Sequence, residues 1–259
     1  MSSPVAVVTL RPKPEYRREA FENGLKRLGY TIVGDHNPKI KPKSRDDLLV
    51  LWNKKRGHGE QTADRWEADG GTVIVAENGY LAKIQGTYYA VSVHGHNGSG
   101  WFPETGNPRF KSLGYPIKDW QKNTSGYWLV IGQRGIGSNL MASPPRWGEI
   151  KAADLRQKGL PVKYRPHPGH DKSIAPPLVD ELRGSHTCVI WSSASGVLSL
   201  VEGVPVERHA PHWICAGWEK DREKALEHMA QGQWHFDEIS TGRPFDLMRA
   251  EGWGVGKWR

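Results

Sequence analysis

Short apolar runs alternate with amphipathic stretches along the first third of the chain. The apolar runs predict strands, and stretches with apolar residues three or four positions apart predict helices. In chain order, the predicted elements are a strand at 5–10, a helix at 15–28, strands at 31–34 and 47–52, a helix at 59–68, and strands at 72–76 and 88–93. Strands that alternate with helices at this spacing indicate right-handed βαβ units around a parallel sheet.

The same alternation returns in the second half of the chain. It predicts strands at 127–131, 162–164, 188–191 and 205–206, and helices at 147–157, 177–182, 197–202, 221–231 and 243–249. We therefore predict an α/β protein with an amino-terminal domain of residues 1–125 and a carboxyl-terminal domain of residues 126–259. Both domains are expected to be Rossmann-like and to face each other across a cleft.

Composition limits the class of protein. The chain has 259 residues and no apolar run near the ~20 residues that cross a bilayer. The run at 5–10 is too short for a signal peptide and lacks its basic flank. We expect a cytoplasmic monomer with no membrane partner. Cys188 and Cys215 lie in apolar stretches, which favours two buried hydrophobic side chains over a zinc site or a disulfide.

The charge balance points to an anionic partner. The net charge is +8, and the basic residues are concentrated at 39–55 and 111–122 in a chain with twelve tryptophans. Aromatic residues among lysines and arginines suit a surface that holds phosphates and stacks bases. A solvated basic face over a tryptophan-rich core explains the same composition.

Two strand-to-helix junctions carry the candidate chemistry. Arg165 and His167 stand between prolines that end the strand at 162–164, and they supply a cation and an imidazole. Ser192, Ser193, Ser195 and Gly196 follow the strand at 188–191 and begin a helix, so N–H groups and hydroxyls gather at the positive end of its dipole. Together the junctions predict a site that holds a diphosphate.

A third polar loop follows the strand at 127–131. Its residues Gln133, Arg134 and Gly135 could cradle a phosphate, although the loop lacks the lysine of a P-loop and the spacing of a dinucleotide fingerprint. A tight turn explains the glycines equally well. Ligands of open α/β sheets collect at the carboxyl ends of strands, where all three loops are expected.

The segment from Arg165 to Pro168, with the serine-rich turn and a helix that ends in Glu202 and Gly203, resembles the donor-binding half of GT-B glycosyltransferases and related polyol-phosphate transferases. The resemblance covers roughly residues 126–215. It implies a nucleotide-diphosphate sugar as donor, with a UDP-sugar expected. Its phosphates would lie on the serines and Gly196, its ribose on Glu202, and the chemistry would require no metal. Members of this architecture that glucosylate hydroxymethylated bases of phage DNA suggest DNA as acceptor, in the host cytoplasm if the chain is phage-encoded.

An inverting sugar transfer needs a general base near the acceptor hydroxyl. The amino-terminal half offers four candidates: Asp35, Glu77, His94 and His96. The two histidines also suit a metal, but no neighbouring carboxylate or cysteine completes a set. We therefore predict a glycosyltransferase that acts on a polyanion. The alternatives are a polyol-phosphate or phospho-sugar transferase acting on an envelope polymer, and a non-catalytic nucleic-acid-binding protein.

Overall fold

The computed structural model describes residues 3–34, 40–81, 86–169 and 176–257. Its strands are β1 (Val5–Val8), β2 (Thr31–Val33), β3 (Leu48–Trp52), β4 (Thr72–Asn78), β5 (Tyr88–Val93), β6 (Tyr127–Ile131), β7 (Val162–Arg165), β8 (Ser185–Ile190), β9 (Val206–Arg208) and β10 (Gln233–His235). Its α-helices are α1 (Arg18–Arg27), α2 (His58–Ala68), α3 (Trp147–Gln157), α4 (Leu178–Arg183), α5 (Ser195–Val201), α6 (Arg222–Gln231), α7 (Phe236–Thr241) and α8 (Arg243–Ala250). The predicted α/β class is confirmed.

The chain folds into two compact units. The first consists of residues 1–108 and 228–259, and the second of residues 109–227. These bounds differ from the expected division at residue 125, because the chain returns to the first unit after the second is complete. No helix in the described part of the chain is long and apolar enough to cross a bilayer.

The first unit is built on a mixed sheet of order β10-β5-β4-β3-β1-β2. Strands β1 to β4 are parallel, as predicted. Strand β5 runs antiparallel to β4, and β10 antiparallel to β5. Only residues 79–87 join β4 to β5, and a parallel crossover needs a dozen or more residues. The direction of β5 decides where the residues that follow it lie.

The carboxyl-terminal tail completes this unit with two elements that the sequence pattern did not predict, β10 and α7. The indole of Trp234 in β10 is fully buried. Helix α7 packs closely on α1 at Gly24, where an added Cβ would lie 2.0 Å from the carbonyl oxygen of Ile239. Glycine is therefore the residue that lets the two helices approach.

The helix predicted at 15–28 is divided in the structure. A single 3-10 turn, Pro14–Tyr16, precedes α1, and Arg17 separates them in the left-handed conformation with φ +45°. Few residues other than glycine adopt this conformation. The break sets the side chain of Arg17 apart from the face of α1.

The second unit is built on a parallel sheet of order β7-β6-β8-β9. Val130 and Val189 in the middle of this sheet pack against Ala152 and Leu155 of α3. Both cysteines are buried, as predicted, and burial raises the pKa of the Cys188 thiol to about 12. The parallel strands have the same order in both sheets: β2-β1-β3-β4 in the first and β7-β6-β8-β9 in the second.

Candidate functional site

The four strands of the second sheet end at one edge, which we call its carboxyl edge. Strands β6 and β8 are neighbours, but the chain leaves β6 towards β7 and leaves β8 towards β9 on the other side. This reversal is a topological switch point, and ligands of open α/β sheets bind in the crevice that it creates. The loops expected to bind a phosphate all follow strands at this edge.

Gln133 and Ser192 join two of these loops. The side-chain oxygen Oε1 of Gln133 accepts hydrogen bonds from the backbone N–H groups of Trp191, at 3.0 Å, and Ser192, at 2.8 Å. The hydroxyl of Ser192 donates to the carbonyl of Met141 at 3.2 Å. Both side chains were predicted to contact the donor. Their hydrogen bonds hold the loops after β6 and β8 together, and their contact with the donor stays a prediction.

Ser193, Ser195 and Gly196 form the start of α5. The Oγ of Ser193 accepts a hydrogen bond from the N–H of Ser195 at 3.1 Å. An added Cβ on Gly196 would lie 2.6 Å from Cδ1 of Ile190 and 2.7 Å from Cζ2 of Trp213. Gly196 therefore allows α5 to pack on the sheet, and both serines remain half-buried at its first turn.

Arg165 is engaged by a protein carboxylate. Its guanidinium forms an ion pair with Glu181 and donates to the carbonyl of Pro176 at 2.8 Å. Lys163 lies 3.0 Å from the same carboxylate. Because Glu181 is only 5% exposed, its charge requires partners inside the protein. The sequence pattern placed Arg165 at the correct strand end but did not indicate this partner.

His167 is exposed and oriented by its own loop. Its Nδ1 accepts a hydrogen bond from the N–H of Gly169 at 3.0 Å, and Gly169 has φ +63°. An imidazole nitrogen that accepts carries no proton, so the neutral ring bears its proton on Nε2. His167 thus presents an N–H donor at the carboxyl edge.

Arg134 is the exposed cation of the loop after β6. Within the described ranges it has no hydrogen-bond or ion-pair partner. Its neighbour Gly135 has φ +66°, and an added Cβ there would lie 3.0 Å from the carbonyl oxygen of Ser143. Since Arg165 is neutralised by Glu181, Arg134 is a cation at this edge whose charge is available to a ligand.

Glu202 stands at the end of α5, about 10 Å from Ser195 for a helix of this length. Its carboxylate pairs with Lys118 at 2.5 Å, and its carbonyl accepts from Gln121 at 2.9 Å. The next residues enter the amino end of β9. The assignment of Glu202 to a ribose remains a prediction.

One polar cluster at the carboxyl edge was not predicted. The carboxylate of Glu207 lies 2.6 Å from Nε2 of His209 and 2.9 Å from Nζ of Lys151. The hydrogen bond from His209 and that from Lys151 lower the pKa of Glu207 to about 2. The sequence pattern ended this strand at residue 206, so it gave no reason to place Glu207 and His209 at a strand end.

The candidate bases of the first unit do not converge. Glu77 lies near the carboxyl end of β4, and its Oε1 accepts from the N–H of Asn78 at 2.9 Å. His94 and His96 follow β5, which runs the other way, so they lie at the opposite edge of the sheet. At about 3.4 Å per residue, Glu77 and His94 are roughly 14 Å apart along the strands. Asp35 lies outside the described residues.

Each histidine has a different environment. His94, with φ +73°, places Nδ1 2.8 Å from Oε1 of Glu67, which also pairs with the buried Lys54 at 3.3 Å. His96 is buried, its Nδ1 lacks a hydrogen-bond partner, and burial lowers its pKa to about 4. Among the described residues, no three histidines, cysteines or carboxylates are grouped as metal ligands.

The basic stretches are partly neutralised. Lys54 is 5% exposed and pairs with Asp64 at 2.8 Å as well as with Glu67, and Lys118 pairs with Glu202. Buried or paired lysines do not contribute to a surface that attracts a polyanion. The two stretches therefore support a nucleic-acid partner less strongly than their composition suggested.

Two solved structures from Thermosulfurimonas dismutans have a similar fold. KpsC, beta Kdo 2,7 transferase, matches with 13% identity and a TM-score of 0.53, over 94% of this chain and 99% of its own. KpsC, beta Kdo 2,4 transferase, matches with 15% identity and a TM-score of 0.55, over 96% of this chain and 98% of its own. At these identities the likeness shows the fold. The sequence matches no protein-family model and no curated protein.

Proposed function

We propose that this protein is a glycosyltransferase that binds a nucleotide-activated sugar at the carboxyl edge of its second unit. The observation that carries the proposal is the set of donors at that edge. Arg134 has no described partner, His167 is held as an Nε2–H donor, and Ser193 and Ser195 lie just before and at the first residue of α5. A phosphate group would accept hydrogen bonds from these donors.

The same groups account for catalysis in the proposed reaction. When the bond between sugar and phosphate breaks, negative charge develops on the leaving phosphate. A guanidinium and a fixed N–H donor stabilise that charge more than they stabilise the intact donor. Gln133 and Ser192 contribute by positioning, because they hold the two loops that carry the phosphate-binding groups.

We further propose Glu77 as the general base. Of the candidates that the structure describes, it is the one at the carboxyl end of a parallel strand. His96, whose pKa is lowered to about 4, is a weak base, and His94 is held through Nδ1 by Glu67. Glu77→Gln is expected to lower turnover about 10²- to 10⁴-fold without changing nucleotide affinity.

The similar structures support glycosyl transfer as the reaction class, since both are named as Kdo transferases. Neither name supports a nucleic-acid acceptor. A hydroxymethylated base in DNA therefore rests on the basic composition and on the family resemblance alone. The donor in our proposal is any nucleotide-activated sugar, with the UDP-sugar of the sequence prediction as one member of the test panel.

Thermal unfolding with UDP, GDP, CDP, CMP and their sugars tests the donor site. A nucleotide at about 100 times its Kd should stabilise the protein by about 2.7 kcal/mol. Arg134→Ala and His167→Ala should each weaken binding by roughly 1.5 to 3 kcal/mol, the value of a hydrogen bond to a charged group. Arg183→Ala, an exposed cation on α4, is the matched control.

The variant Arg165→Ala is expected to change the stability of the fold rather than the affinity for nucleotide. It removes a partner of the buried Glu181, so it should destabilise the fold by about 3 to 5 kcal/mol whether or not nucleotide is present. If no nucleotide raises the unfolding temperature, or if Arg134→Ala and His167→Ala bind nucleotide as tightly as Arg183→Ala, the proposed donor site is wrong.

A further inference from the structure

Three polar side chains stand at the carboxyl edge of the first sheet, on three adjacent strands. Glu77 is the last residue but one of β4, Tyr88 is the first residue of β5, and His235 is the last residue of β10. Strand β5 runs antiparallel to both neighbours, so its beginning and the ends of β4 and β10 meet at one edge. Ligands of α/β sheets bind at this edge.

The strand register places the three side chains on one face of the sheet. Glu77 pairs with Ala90, and His235 pairs with Tyr88. Paired residues share a face, and side chains two positions apart along a strand return to it. Tyr88 is therefore the diagonal neighbour of Glu77, at about 7 to 8 Å between Cα atoms, within reach of an aromatic side chain. The ring of Tyr89 points to the opposite face, where it packs on α1.

A glycine occupies the position next to Glu77 on this face. Gly79 continues the pairing of β4 with β5, since its N–H donates to the carbonyl of Tyr88 at 3.1 Å. It stands two residues after Glu77 and thus on the same face. Because glycine has no side chain, β4 itself places none between a ligand on Tyr88 and the carboxylate of Glu77.

His235 is fixed as a hydrogen-bond donor. Its Nδ1 accepts from the N–H of Asp237 at 3.2 Å and so caps α7, which leaves the proton of the neutral ring on Nε2. Oδ2 of Asp237 also lies 3.2 Å from Nδ1, and a protonated ring would donate to it. Nε2 carries a proton in both states. The side chain is 28% exposed, and Nε2 has no hydrogen-bond partner among the described residues.

Tyr88 adds a hydroxyl and an apolar ring. Its ring centroid lies 5.2 Å from that of His235, edge to face at 76°, so the two rings support each other. Tyr88 is half-buried, and its hydroxyl has no hydrogen-bond partner in the part of the chain that the structure describes. A phenol both donates and accepts, an imidazole N–H donates, and the carboxylate of Glu77 accepts. The three groups thus cover both hydrogen-bonding roles.

We infer that Glu77, Tyr88 and His235 bind a hydroxylated sugar ring, the acceptor of the proposed glycosyl transfer; the acceptor role rests on the proposed function. A sugar hydroxyl both donates and accepts, so one hydroxyl donates to Glu77 and another accepts from Nε2 of His235. These two residues are separated by two strand spacings, about 10 Å, which one ring with a hydroxyl on each side bridges. The C–H face of that ring packs on Tyr88.

A printed array of oligosaccharides, followed by titration calorimetry with the strongest ligand on it, tests the inference. The wild-type protein should bind at least one saccharide. Tyr88→Phe removes only a hydroxyl. His235→Asn removes the Nε2–H donor but keeps a side-chain oxygen for the cap of α7, so a folding defect is not expected. Each variant should weaken the saccharide about 2- to 12-fold, the loss of one hydrogen bond, and should leave nucleotide affinity unchanged.

Tyr16→Phe and His228→Asn are the matched controls. The ring of Tyr16 packs on Trp52, which contacts Tyr89 on the opposite face, and His228 lies on α6, before β10. Both controls should bind like the wild type. The inference is overturned if no saccharide on the array binds, or if Tyr88→Phe and His235→Asn bind as tightly as the controls.

The nucleotide panel separates this result from the proposed function. If a saccharide binds through Tyr88 and His235 but no nucleotide stabilises the protein, the edge of the first sheet is a saccharide site and the transferase proposal fails. If a nucleotide binds through Arg134 and His167 but no saccharide binds, the donor site stands and the acceptor site inferred here is wrong.

Discussion

Burial fixes the charge of His96. Its ring is 8% exposed, and burial lowers its pKa from 6.5 to about 4. Between those values the unfolded chain binds a proton that the folded protein does not. Stability should therefore be complete above pH 6.5 and should fall by about 3 kcal/mol as the pH decreases through 4.

Urea unfolding at a series of pH values from 7.5 to 4.5 measures this loss. His96→Phe keeps an aromatic ring without a titrating group and should flatten the dependence between pH 6.5 and 4.5. His58→Gln, at an exposed position on α2, should keep the wild-type slope. An unchanged slope in His96→Phe would show that other groups produce it.

The candidate donor site illustrates what residue patterns can indicate. Arg134, His167 and Ser193 were found because they follow apolar runs, and the end of a parallel strand is a local property of the sequence. The ion-pair partner of Arg165, at the neighbouring strand end, is not local. Glu181 lies sixteen residues from Arg165 in the chain. No rule of sequence spacing connects a residue at the end of a strand to a carboxylate on the next helix.

At the scale of elements, the close packing of α1 and α7 depends on Gly24. A glycine inside a helix normally costs about 0.5 to 1 kcal/mol relative to alanine. Gly24→Ala should nevertheless destabilise the protein, by about 1 to 3 kcal/mol, because its Cβ would overlap the carbonyl of Ile239. Equilibrium urea unfolding gives the free energy directly.

Gly59→Ala on α2 is the matched control, since an added Cβ there would meet nothing closer than Cβ of Lys55 at 3.8 Å. It should stabilise the protein by roughly 0.5 to 1 kcal/mol. If both substitutions stabilise, α1 and α7 are free to separate and the packing described here is not required for folding.

Most elements could be predicted because each has its own periodicity. The six elements β1, α1, β2, β3, α3 and β7 were placed within a few residues. The direction of β5, strand β10 and helix α7 were not predicted. The direction of β5 depends on its partner and on the length of the connection, which the pattern of β5 itself does not contain. Strand β10 is three residues long, too short for a period, and only its pairing with Tyr89 and Ala90 makes it a strand.

At the scale of the whole molecule, the net charge of +8 predicts that any binding of DNA weakens as the salt concentration rises. If duplex DNA is bound, log K should fall with log salt with a slope of about −0.9 per phosphate contact. Lys111 and Lys122 are exposed, without ion-pair partners in the described ranges. The double variant Lys111→Gln and Lys122→Gln should then reduce the slope by about 1.8.

Fluorescence anisotropy with a labelled duplex at 25 to 300 mM salt is the measurement. Lys158→Gln, a lysine already paired with Asp154 at 2.9 Å, is the control and should leave the slope nearly unchanged. Absence of binding at the lowest salt would show that the net charge does not serve to bind DNA.

The return of the chain to its first unit has a consequence for biosynthesis. A ribosome releases residues 1–108 and then all of residues 109–227 before it releases β10. Until then, β5 is an edge strand whose outer backbone groups are unpaired, and such edges are prone to aggregation. The second unit can fold during this interval, whereas the sheet of the first unit is incomplete until β10 has been synthesised. Truncation or stalling of synthesis before residue 233 should thus leave the unpaired edge of β5 exposed to other chains. We expect nascent chains that end between residues 108 and 233 to depend most on chaperones.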